Sequence, residues 1–149
     1  MGKIKVDGVL VTPLKKITNT KGDILHALKK SDSGFFGFGE AYFSMVNKGE
    51  IKGWNRHKMM TANIIIPSGE VTFIICRDKR ENSKNKQFFR VDLSLKKYNR
   101  LTISPGLWFA FKGVSQDSNL VLNIADIEHD PNEMERLELS KIDYNWENI

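Results

Sequence analysis

The chain is poor in the residues that staple small proteins together: it has one cysteine and four prolines in 149 residues. A single thiol, Cys76, excludes an internal disulfide, and its place at the end of the apolar run Phe73-Ile74-Ile75-Cys76 marks it as core or barrel wall. No apolar stretch approaches the roughly 20 residues a membrane-spanning helix needs. The best candidate, residues 63–76, is broken by Pro67-Ser68-Gly69-Glu70. The first residues, Met1-Gly2-Lys3-Ile4-Lys5-Val6, lack the apolar segment of a secretory signal, and Val6 stands where a myristoylation site wants Ser or Thr. These absences point to a cytoplasmic protein without a membrane partner. With 40% hydrophobic and 28% charged residues the composition is that of a globular domain, neither disordered nor collagen-like. A domain of this size buries roughly 68–70% of its unfolded surface and needs no metal or disulfide to fold, so residues 1–149 are read as one domain.

The formal charge of +5 raises the question of nucleic acid, whose phosphates are neutralised by clustered Lys and Arg. The distribution argues against it. Lys29-Lys30, the polar stretch 77–86, Lys96-Lys97 and Arg100 are scattered over turn-like segments, while Asp130 to Glu138 read as an acidic patch. Nucleic-acid binding therefore rests on net charge alone and predicts steeply salt-dependent retention on heparin.

What the sequence does have is apolar alternation punctuated by turns. Strands are predicted at Val9–Lys15, Gly39–Val46, Ile51–His57, Thr61–Ile66, Val71–Arg77, Phe88–Ser94, Arg100–Ile103, Trp108–Gly113 and Leu120–Ala125. Between them lie Asn47-Lys48-Gly49, Pro67-Ser68-Gly69-Glu70, Ser104-Pro105-Gly106 and Gln116-Asp117-Ser118-Asn119, all with turn chemistry. Nine short strands at this spacing mean an all-β sandwich or barrel. Helical signals are short. Residues 22–30 read as one or two helical turns or as a plain surface turn, and Asp130-Pro131-Asn132-Glu133 reads as a helix start, with Asp130 as N-cap and Pro131 at the first helical position. The polar stretch 77–87 is expected to be a mobile hairpin loop.

The segment from Gly49 to Gly69 carries the strongest pattern. The first cupin motif runs G-x5-H-x-H-x4-E-x6-G; here its glycines are kept, but its donor positions hold Asn55, His57 and Ala62. Around Ser104-Pro105-Gly106-Leu107-Trp108-Phe109 the chain resembles the second cupin motif, with Phe109 in place of the last ligand. A tight metal site needs about four converging N or O donors, which residues two apart on one strand face can begin to supply. Of these donors only His57 remains, so no metal and no other cofactor is expected. Within the cupins the chain resembles the dTDP-4-dehydrorhamnose 3,5-epimerase-like proteins over nearly its whole length. The likeness rests on Lys21-Gly22-Asp23, Gly39-Glu40-Ala41-Tyr42-Phe43-Ser44, Lys52-Gly53-Trp54-Asn55-Arg56-His57-Lys58, the stretch 103–113, His129-Asp130-Pro131-Asn132-Glu133 and Tyr144-Asn145-Trp146. The fold implied is a cupin jelly roll with a short N-terminal arm and a short C-terminal helix.

What the resemblance implies about activity is divided. In the epimerases a histidine removes the proton beside a C4 ketone, a lysine helps hold the enolate oxygen and a tyrosine returns a proton from the other face. The matching positions here are Asn55, Ala62 and Leu122, none of which can perform those steps. His57 stands two residues beyond Asn55, about 6.6–7 Å along the strand, and its imidazole can serve as the base. Related ketoisomerases resemble this pattern in using a histidine-x-histidine pair. His57 is therefore the candidate catalytic residue, against a reading in which it only hydrogen-bonds within the barrel. Asn55 is read as orienting the sugar, Lys52 as standing where the epimerases place a phosphate-contacting arginine, and Glu40, Tyr42, Asn63 and Phe109 as the remaining substrate contacts. Lys52, Arg56 and Lys58 are placed on the opposite face or at the rim. Trp54, Trp108 and Phe111 read as packing, with Phe109 and Phe111 lining one side of the barrel, and His26 and His129 as local caps. The resemblance implies a metal-free epimerase or isomerase of a nucleotide-linked 4-keto-6-deoxysugar in surface polysaccharide (dTDP-rhamnose-type) synthesis. The alternative is a catalytically degenerate cupin that binds a sugar nucleotide or a partner protein without turnover. A homodimer is implied as well, with the strand from Lys3 to Lys15 as an exchanged edge.

Overall fold

The computed structural model describes residues 3–78 and 86–149, so the expected loop at 77–87 lies largely outside the described residues. Among the described residues thirteen strands follow in chain order: β1 Lys3–Val6, β2 Val9–Pro13, β3 Lys16–Ile17, β4 Ile24–Leu25, β5 Glu40–Val46, β6 Ile51–His57, β7 Ala62–Ser68, β8 Glu70–Arg77, β9 Gln87–Ser94, β10 Asn99–Ile103, β11 Trp108–Gly113, β12 Asn119–Ala125 and β13 Met134–Arg136. All nine predicted strands are present within a few residues. The additions are short pairings with little apolar signal of their own.

Two sheets face each other. One has the order β1-β2-β10-β7-β12-β5 and the other β13-β6-β11-β8-β9, with β3 and β4 forming a small separate pair. Neighbours in both sheets are antiparallel, and the chain crosses repeatedly from one to the other, as in a jelly roll. Alternation fills the space between them. On β8 Val71, Phe73 and Ile75 face inward, and on β11 Phe109 and Phe111 do the same, meeting Val9 and Val11 of β2, Ala62, Ile64 and Ile66 of β7 and Leu101 and Ile103 of β10.

A second apolar cluster lies on the outside of the five-stranded sheet. Trp54, Ile74, Cys76, Trp108 and Ala110 alternate outward and are covered by the C-terminal segment through Ile142, Tyr144 and Trp146. Trp54 and Cys76 are wholly buried there, which accounts for Trp54 as packing. Desolvation pushes the Cys76 thiol up to about 11, with smaller opposing influences from Lys86 and Asp78. The thiolate needed for reactivity is therefore scarce at neutral pH.

The outer face of the other sheet is closed differently. Arg100 of β10 is completely buried and donates to the carbonyls of Ala27 and Ser33, to Asp32 Oδ2 at 3.2 Å and to Asn63 Oδ1 at 3.2 Å. Desolvation lowers its basicity while Asp32 opposes the change. The segment 26–34 is thus strapped onto the sheet by one guanidinium. The helical turns considered for residues 22–30 are replaced by β4 and irregular chain, because the backbone groups are spent on this strap and on the β3 pairing. The N-terminal segment expected as an exchanged edge pairs, as β1, with β2 of the same chain. The expected C-terminal helix is a three-residue 3-10 turn, Pro131–Glu133, capped by Asp130 Oδ1 accepting from Asn132 N at 2.9 Å. It stops there because the next residues pair with β6 as β13.

Candidate functional site

β6 runs next to the edge of the five-stranded sheet, between β13 and the central strand β11, and its register is irregular. Phe109 faces Asn55 and Ala110 faces Gly53, so Trp54 is the extra residue of a bulge. Gly53 makes this possible. Its φ is +136°, and a Cβ there would lie 2.5 Å from Ala110 Cβ and 2.7 Å from Ala110 Cα. The bulge shifts the alternation, so Lys52, Asn55 and His57 all line one cavity while Ile51 and Trp54 pack on the outside. Strict alternation puts Lys52 on the opposite face; the inserted residue brings it to the site.

That cavity, about 440 Å³, opens from the core between the sheets. Its inner wall is apolar, built from Ile64, Phe73, Phe109, Phe111 and Val121, with Met60 and Met134 beside them. Phe73 and Phe111 stack at 4.9 Å. The six-stranded sheet contributes Glu40, Tyr42 and Ser44 from β5 and Asn123 from β12, and exposed Lys52, His129 and Arg136 stand at the rim. Among the described residues no partner is recorded for the charges of Lys52 or Arg136.

His57 is buried and sits in the best-defined polar arrangement of the site. Its Nδ1–H donates to Glu133 Oε1 at 2.5 Å, and its ring stacks on Phe109 at 5.9 Å between centroids. Glu133 is itself only 4% exposed, and its Oε2 accepts from the backbone N–H groups of Met59 and Met60 at 3.2 and 3.3 Å. Burial alone would raise the Glu133 pKa. The His57 hydrogen bond and the two amides outweigh it and hold the carboxyl below the usual range. A carboxylate can only accept, so in the neutral imidazole the proton resides on Nδ1 and Nε2 is the basic atom. The turn Pro131–Glu133 delivers this carboxylate, and β13 anchors it through the pairing of Met134 with His57.

Of the residues proposed from the sequence, Glu40, Tyr42, Lys52, Asn55, His57 and Phe109 line the cavity together. Asn63 does not. It lies on the outward side of β7, where its amide donates to Gly34 O and its Oδ1 accepts from Arg100 and Thr102, because Ala62, Ile64 and Ile66 take the inward positions. Ala62 is core, and Leu122 is outside the lining, whereas its neighbour Asn123 is within it. His129, read as a cap, lines the cavity. The supposed acidic patch is also dispersed: Glu133 binds His57, and Glu135 forms a two-pronged ion pair with Arg56, whose guanidinium lies 4.5 Å above Trp108 on the outer face. Glu133 and Arg136 were missed. The signal for Glu133 was the capped turn before it, which was read as the opening of a helix and not as the device that buries an acid. Among the described residues no three His, Cys, Asp or Glu side chains gather in a way that could hold a metal ion. With His57 Nδ1 taken by Glu133, the donor set of the cavity does not fit one.

No family model and no curated protein matches the chain. Solved structures do. A dTDP sugar isomerase from Desulfovibrio desulfuricans G20 is similar over 95% of this chain and 92% of its own, with 32% identity and a TM-score of 0.86. The dTDP-4-dehydrorhamnose 3,5-epimerase from Sulfolobus tokodaii matches over 99% of this chain and 86% of its own at 19% identity, TM-score 0.81. QdtA, a sugar 3,4-ketoisomerase from Thermoanaerobacterium thermosaccharolyticum in complex with TDP, matches over 87% and 88% at 20% identity, TM-score 0.72. The last two likenesses carry the fold. The first, at its identity and coverage, together with a jelly roll whose cavity is built on β6 and β11, shows that the chain belongs to the dTDP-4-dehydrorhamnose 3,5-epimerase-like family of cupins.

Proposed function

We propose that the protein is a metal-independent isomerase or epimerase of a nucleotide-linked 4-keto-6-deoxysugar, working in the cytoplasm in surface polysaccharide synthesis of the dTDP-rhamnose type. The observation that carries this reading is the His57–Glu133 pair in an apolar cavity. His57 Nε2 takes the proton from the carbon beside the ketone, and the electron pair of that C–H bond moves into the C–C bond as the carbonyl electrons pass to oxygen. Glu133 holds the ring's tautomer and stabilises the imidazolium that forms, acting as a positioning residue. The enolate oxygen needs donors already in place. Asn55 and Lys52 are the donors on the same wall, and Lys52 with Arg136 offers point charges to a diphosphate at the rim. Return of the proton from His57 to C4, with the C3 hydroxyl proton passing to the C4 oxygen, moves the ketone from C4 to C3. Delivery of a different proton to the original carbon from the opposite face, by the Tyr42 hydroxyl that accepts from Asn123 Nδ2 at 3.1 Å, inverts the centre while His57 keeps the proton it took.

The second reading, binding without turnover, is favoured by Asn55 at the position where the family resemblance expects the base. A proton NMR time course with dTDP-4-keto-6-deoxyglucose in heavy water separates the two. Loss of the C3 or C5 proton signal with the wild type and not with His57→Asn is the expected result. No exchange with either protein, alongside saturation transfer to the nucleotide, would replace catalysis by binding. A homodimer belongs to the same proposal. Five of the nine large apolar side chains exposed among the described residues, Phe36, Phe38, Tyr42, Phe43 and Met45, lie on or just before the edge strand β5.

A further inference from the structure

Two buried oxygens in the site have no hydrogen-bond partner among the described residues: Glu40 Oε1 and Asn123 Oδ1. Both residues line the cavity, and β5 and β12 bring them together. Asn123 pairs with Tyr42 across the ladder, and Glu40 stands two residues from Tyr42 on the same strand face. Asn123 donates an amide N–H to the Tyr42 hydroxyl, and neither Tyr42 nor any other described residue donates to the two oxygens. A buried acceptor without a donor costs much of its lost hydration, and a carboxylate oxygen more than an amide. Such a pair, brought to one wall of the cavity by neighbouring strands, is completed by a ligand that brings two donors.

We infer that Glu40 and Asn123 read the C2 and C3 hydroxyls of the sugar, and that the substrate enters with both hydroxyls intact. The inference rests on the nucleotide-sugar reading above and extends it. A 4-keto-6-deoxyhexose linked to its nucleotide through C1 has two free hydroxyls, on C2 and C3, and they are neighbours. Its ketone accepts hydrogen bonds and its C6 methyl suits the phenylalanine wall. The number of donors matches the number of unmet acceptors that β5 and β12 bring to this wall.

The test is calorimetry with dTDP alone, dTDP-6-deoxyglucose, and the 2-deoxy, 3-deoxy and 3-amino forms of that sugar nucleotide, on the wild type and on Glu40→Ala. Loss of either hydroxyl should weaken wild-type binding about 10- to 100-fold, because the site is left with an unpaired buried acceptor. In Glu40→Ala the penalty for one of the two hydroxyls should shrink to within about twofold. Deoxy analogues that bind the wild type as tightly as the parent, while dTDP and the parent still bind, would sink the inference and leave the nucleotide-sugar reading standing. A Glu40→Ala variant that weakens parent and analogues by one common factor would make Glu40 structural and overturn the assignment. A 3-amino analogue binding more tightly than the parent would place an ammonium at Glu40 and overturn the hydroxyl reading. If neither dTDP nor any of its sugars binds, the underlying reading fails and takes the inference with it.

Discussion

Glu133 shows how far one side chain can govern another. Its carboxylate fixes which nitrogen of His57 is basic, and Gln in its place would offer an amide that can present either an oxygen or an N–H to the ring. Glu133→Gln should therefore lower kcat about 100-fold with little change in KM, the signature of a group acting on the transition state through the base. The same residue sets a pH dependence. A carboxyl whose folded pKa is depressed stabilises the fold fully above its unfolded pKa, and that contribution is lost as pH falls through the folded value. In urea titrations the stability difference between wild type and Glu133→Gln should be constant from about pH 6 to 8 and shrink steadily below about pH 4. A difference independent of pH would mean that Glu133 is not ionised in the native state. At this scale His57 and Asn55 were legible because their spacing on a strand is itself the motif. Glu133 was not, since 76 positions separate it from the histidine it serves and only the fold joins them.

Among the elements, β6 holds the most information. The strand pattern located its limits, Ile51–His57, without error, yet alternation misjudged which side Lys52 occupies, because period-two reading has no place for an extra residue. Gly53 was the available clue: a glycine inside a strand marks a bulge or a close approach, and here it marks both. Gly53→Ala should cost roughly 2–4 kcal/mol, since both the positive φ and the 2.5 Å contact with Ala110 oppose a side chain. Thermal unfolding measures the cost, and a variant as stable as wild type would refute this account of the bulge. β7 and β12 failed in a complementary way. β7 is buried on both faces from Ala62 to Ile66, so its sequence could not say that Asn63 points away from the cavity. On β12 Val121 and Asn123 line the cavity while Leu120 and Leu122 are only partly buried, so a polar side chain holds a core position that a leucine on the same strand does not. Such a placement is what a polar site cut into a core produces.

For the whole molecule the jelly roll was readable from strand number and turn spacing, and the family from motifs spread over most of the chain. The layering outside the sandwich was not. Nothing in the local sequence announces that Arg100 fastens residues 26–34 or that Tyr144 and Trp146 cover Trp54. Assembly belongs to this scale too. The apolar strip at Phe36, Phe38, Phe43 and Met45 predicts a particle of twice the 17.1 kDa chain by light scattering, and a smaller one for Phe43→Lys. A wild-type monomer at micromolar concentration would remove the dimer from the proposal.

The dependence of His57 on a turn that follows the last strand of the six-stranded sheet also divides the labour between fold and chemistry. The core between the sheets is built mainly from β2, β7, β8, β10 and β11, whereas the carboxylate beside the histidine and the guanidinium of Arg136 at the rim come from the short stretch Pro131–Arg136 at the edge of the five-stranded sheet. The proposed chemistry thus hangs on a stretch that contributes no side chain to that core.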